Sequence, residues 1–138
     1  MQTPRLLLFH KQSTSARTRF LRFGDSLLAF APLPAAAVLR AEDAAPGKIL
    51  PHPAALLKMA VTKLGMSGGS LQIEPEFSAI VDTPQGEVAV LLAGFTTMDP
   101  PFVAADSLGG RFVALTELRG LPAVELDLVR RAYTVILG

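Results

Sequence analysis

The chain has 138 residues, the length of one ordinary domain and enough to bury a core without covalent staples. It contains no cysteine and no asparagine, which excludes disulfides, thiolate metal sites, cysteine nucleophiles and N-glycosylation, and its two histidines are too few for a multi-histidine metal cluster. Net charge is +1, yet residues 1–24 hold five bases and no acid, while the remainder holds eight bases against twelve acids.

"RLLLF" (5–9) is a compact apolar run that predicts a buried strand, followed by the polar connector "HKQSTSART". "RFLRFGDSLLAF" gives two apolar segments around Gly24-Asp25, which predicts an N-terminal hairpin over 19–30 with glycine at the turn. The stretch "SLLAFAPLPAAAVL" behind a basic lead mimics a signal peptide, but Asp25 and Pro32-Leu33-Pro34 interrupt it, so a cytoplasmic chain is expected. No apolar run reaches the roughly 20 residues that a bilayer span needs.

Pro34 suits the first position of a helix over 34–45, closed by Pro46-Gly47. Pro53 opens a second helix over 53–64, with Gly65 as its left-handed end residue. Lys58, Thr62 and Lys63 leave it only a narrow polar stripe. It is therefore expected to be buried on more than one side, in the core or at a subunit interface. His52 falls at its N-cap, where the imidazole is expected to accept from free backbone N–H groups.

After the flexible "MSGGS", the pattern changes to strands. An antiparallel hairpin over 77–95 turns at Thr83-Pro84-Gln85-Gly86, and its second strand is apolar on both faces, as a covered central strand should be. Pro75 cannot donate to a ladder, so the first strand begins beyond it or lies at an edge there. "RFVALTEL" (111–118) predicts a third strand. The last segment predicts a helix over 122–136, opened by Pro122, with Asp127, Arg130, Arg131 and Thr134 on one polar face; the alternation of Val124, Leu126 and Leu128 is its strand alternative. With no repeat and no dividing linker, the reading is one α+β domain over 1–138, a mostly antiparallel sheet packed with two or three helices.

Several motifs are tested by their context. Gly65-Met66-Ser67-Gly68-Gly69-Ser70 resembles a phosphate loop in composition only, because such loops run strand, glycines, helix, and this one runs helix, glycines, strand. Glu74 and Glu76 share one strand face about 6.7 Å apart and read as solvated. No Gly-x-Ser-x-Gly elbow accompanies His52, and His10 reads as a surface residue. No motif asks for a cofactor or a metal.

Two candidate sites remain. Between Leu91 and Phe112 an apolar run gives way to "TTMDPP", where two prolines stiffen the backbone. Thr96, Thr97, Asp99, Asp106 and Arg111 are placed there to meet a small polar ligand, in a binding protein or an enzyme, with Asp99 as acceptor or base and Arg111 as anion clamp. The bland alternative is that the prolines end a strand and the aspartates cap turns. In "ARTRFLRF", Arg17, Arg19 and Arg22 alternate with phenylalanine in the manner of a nucleic-acid contact. Arg22 falls on the opposite strand face, and the overall pI near 8.2 is below that of dedicated nucleic-acid domains.

The composition supplies the leading expectation. Hydrophobic residues make up 50% of the chain and charged residues 18%, below the usual quarter. So few charges cannot cover the exposed third of the surface, so part of it is expected to be an apolar contact face. That predicts a non-catalytic protein-interaction domain forming a homo-oligomer, a dimer first because closed two-fold assemblies are commonest, with another protein as a further partner. The Ala, Leu, Pro and Arg bias is bacterial in character.

Overall fold

The computed structural model describes residues 3–42 and 52–138. They form one α+β unit: β1 (Arg5–Lys11), β2 (Thr18–Phe23), β3 (Leu28–Ala29), β4 (Val38–Leu39), α1 (Pro53–Leu64), β5 (Leu71–Ile73), β6 (Ala79–Thr83), β7 (Gly86–Phe95), α2 (Phe102–Ser107), β8 (Gly110–Ala114) and α3 (Ala123–Leu137). The strands build one mixed sheet in the order β4-β6-β7-β1-β2-β8, with β3 on β1 and β5 on β7. Among the described residues only the central β1–β7 pair is parallel, in register from Arg5 opposite Val90 to Phe9 opposite Gly94.

Period-two alternation sorts β1 and β7 onto two cores. Leu7, Phe9, Val88, Val90 and Leu92 face one side, where Leu128, Val129, Ala132 and Ile136 of α3 cover them. Leu6, Leu8, Leu91, Ala93 and Phe95 face the other, under Ala60 and Leu64 of α1 and Ala105 of α2. Burial on both faces explains why these strands read as continuous apolar runs. Gly94 is required at its place, because a Cβ there would stand 2.8 Å from the Phe9 ring.

The 77–95 hairpin forms as expected, with β6 paired to β7 from Ala79 opposite Val90 to Thr83 opposite Gly86. At Gly24-Asp25 the chain turns tightly: Phe23 N–H donates to Ser26 O at 2.7 Å and Ser26 N–H to Phe23 O at 3.1 Å. The second limb then pairs with β1, and β2 makes its long antiparallel ladder with β8. The last segment is helical, with Asp127, Arg130 and Thr134 exposed and Arg131 half-buried on the expected polar face.

Four expectations need correction. Residues 34–42 are not helical: Ala36 has φ 62°, and Val38-Leu39 pair antiparallel with Val81 and Asp82. The alanines favour helix locally, but Arg40 N–H donates to Ile80 O at 2.9 Å. Its guanidinium also binds Asp82, whose carboxyl it holds below the usual range, and meets Glu87 at 2.7 Å. Tertiary pairing overrides propensity there; residues 43–45 and the Pro46-Gly47 stop lie outside the described residues. The expected strand over 111–118 ends at Ala114, and Leu115–Glu117 form a 3-10 turn. The helix at 53–64 exists with Gly65 in the left-handed region, but it buries only Ala60 and Leu64 and so packs on one side. His52 occupies its N-cap without a side-chain capping bond.

Candidate functional site

The loop after β7 is built on a buried histidine. His10 follows Leu6 and Leu8 on one face of β1 and is fully buried. Its Nε2 donates to the Thr97 carbonyl at 2.7 Å, and its buried Nδ1 has no hydrogen-bond partner among the described residues. The expectation of a surface residue is thus corrected; the alternation of "LLLFH" was the signal that the imidazole continues a buried face.

Thr96, Thr97 and Asp99 are engaged locally. Thr96 Oγ1 donates to Gly69 O at 2.7 Å, and Thr97 Oγ1 donates to Asp99 O at 2.7 Å. Asp99 Oδ1 accepts from Gln12 Nε2 at 3.1 Å, while Gln12 Oε1 accepts from Arg19 at 3.1 Å. The chain then enters α2 through Pro100-Pro101, a short helix where the sequence reading had only a loop.

Asp106 and Arg111 are brought together, apart from the other three. They line opposite walls of a groove of about 440 Å³ between α2 and β8, with Phe102, Val103, Ala105, Gly110 and Phe112. Its floor is aromatic: the Phe112 ring packs edge-on against Phe95 at 5.7 Å and Phe102 at 5.8 Å. Of its lining, Phe102 and Val103 are exposed, Val103 to 86%. Met98 and Leu108, which precede and follow α2 in the chain, are exposed as well, Met98 to 81%. These residues escaped the sequence reading; the signal was "PPFVAAD", in which Pro101 opens a helix too short to bury its own apolar residues.

Thr96 instead lines a cleft of about 410 Å³ at the end of α3, with Phe9, Lys11, Gln72, Glu74 and Ile136. Lys11 Nζ donates there to the Ile136 carbonyl at 3.3 Å, next to the last turn of the helix.

The basic segment separates into different roles. Arg17 is exposed and Arg19 half-buried on Gln12. Arg22 is buried, donating to Gly24 O at 2.7 Å and Glu117 O at 3.2 Å, so its charge is not presented to a phosphate backbone. That corrects its place in a nucleic-acid contact.

Glu125 is the buried acid outside the groove, 1% exposed at the start of α3. Its carboxylate accepts from Leu27 N–H at 2.7 Å and Ser26 Oγ–H at 2.8 Å, tying the β2–β3 turn to the helix. Burial pushes its pKa above the usual glutamate value, against the lowering pull of those two donors and of Arg22. Among the described residues no cluster of three acidic or histidine ligands could hold a metal, and no helix is long and apolar enough to cross a membrane.

No family model matches this chain, and no curated protein is significantly similar to it.

Proposed function

We propose that the chain is a non-catalytic, cytoplasmic protein-interaction domain that self-associates through the α2–β8 groove. The observation that carries this reading is the exposure of Phe102 and Val103 on the wall of a groove that Phe112 also lines. Exposed apolar surface of this kind favours association, and rigid aromatic floors make good anchors at interfaces. A stable interface needs about 800 Å² per partner. That is roughly a tenth of this chain's 7541 Å² surface, so an interface here has to extend well beyond the groove itself.

Strand addition is the less favoured way to use this surface. β8 is an edge strand, but Glu117 Oε1 accepts from Ala114 N–H at 3.0 Å and so caps its far end. Side-chain packing into the groove is therefore the mode proposed. Amide hydrogen exchange tests it: amides of 102–112 should exchange more slowly at high micromolar than at low micromolar concentration. Identical rates at both would refute it.

A small-molecule reading rests on the same place, since about 440 Å³ lies within the usual range of ligand pockets and Asp106 and Arg111 supply two convergent charges. Its test is saturable binding of a small carboxylate or phosphate that is lost in Arg111→Ala. Thermal stability unmoved by such anions would remove it.

A further inference from the structure

The two walls of the groove carry opposite charges. Asp106 stands on the helix wall, one turn beyond Phe102, and Arg111 stands on the strand wall. Both are exposed, and among the described residues neither side chain has a hydrogen-bond or ion-pair partner in its own chain. One acid and one base beside an apolar floor give no net charge with which to select a strongly acidic or basic partner. They are complementary to each other, and across a two-fold axis a surface meets itself with residue i against j and j against i.

Resting on the self-association reading, we infer that the occupant of the groove is a second copy of this chain in a two-fold dimer, with Asp106 of each copy facing Arg111 of the other. The axis runs through the groove and sets each helix wall against the partner's strand wall. Phe102 and Val103 supply the buried contact, and the two symmetry-related ion pairs fix the register.

Because every substitution counts twice in a symmetric dimer, charge reversal is a sharp test. Sedimentation equilibrium should show Asp106→Arg and Arg111→Asp each weakening self-association about tenfold or more, through repulsion at both pairs. Mixing these two variants should restore association to near the wild-type level, since one copy then carries two bases at these positions and the other two acids. If Val103→Glu dissociates the wild-type dimer but both reversals associate normally, the charge pairing is wrong while the groove reading stands. A wild-type chain that stays monomeric at high micromolar concentration overturns both. Should a reversal lower the melting temperature, Asp106→Asn and Arg111→Gln serve in its place. Weakened association without unfolding supports the pairing, and unchanged association overturns it.

Discussion

Glu125 shows how far one residue's role departs from its local signature. An acid in the first turn of a helix ordinarily faces water and favours the helix dipole, whereas this one is buried and organises the turn at Ser26-Leu27. Its folded-state pKa is raised above the ordinary value near 4.5. The proton is thus held more tightly in the folded chain, and the associated stability is present below that value and lost as pH rises through the raised one. The melting temperature of the wild type, measured against Glu125→Gln, is therefore expected to fall as pH rises above the ordinary glutamate value near 4.5. A gap that is constant or widens with pH would contradict this assignment. At any pH, the glutamine variant turns an amide donor toward one of two backbone or hydroxyl donors, costing about 1–3 kcal/mol in denaturant unfolding. Arg22→Ala is expected to be a stability defect of similar size, about 1–3 kcal/mol, because it strands the Gly24 and Glu117 carbonyls. Heparin retention of the folded variant should stay unchanged; a loss would return Arg22 to a nucleic-acid role.

Elements whose local pattern and tertiary environment agree were legible from the sequence. The 77–95 hairpin has alternation, a proline boundary and a Gly86 turn, and the helices at 53–64 and 122–136 each begin at proline. Where local and tertiary preferences conflict, the pattern misled. Residues 34–42 are alanine-rich, yet Arg40 holds them along β6. α2 has six residues, too few to show a period. Of the five residues the sequence singled out for a candidate site, Asp106 and Arg111 share a groove. That Thr96, Thr97 and Asp99 spend their polar atoms inside the loop depends on distant Gly69 and Gln12, which spacing does not reveal. Gly94 tests the packing at this scale. Gly94→Ala should cost about 1–3 kcal/mol through displacement of the Phe9 ring. Wild-type stability would mean that the two central strands are less tightly packed than described.

At the scale of the whole molecule, the composition and the surface point the same way. A two-sided sheet consumes most of the apolar side chains, with α3 covering one face and α1 and α2 the other. The short α2 is where covering fails, because six residues cannot turn Phe102 and Val103 inward while Ala105 packs on the core. Phe102 and Val103, left exposed on the wall of the groove, are the part of that apolar surface for which a partner is proposed. Sedimentation velocity across a concentration series tests that claim most directly. The account predicts a wild-type mass rising from 14.6 kDa toward twice that value by high micromolar concentration, with Val103→Glu remaining at 14.6 kDa and melting as the wild type does. A wild-type chain that holds 14.6 kDa throughout, or a Val103→Glu variant that associates equally well, would contradict it.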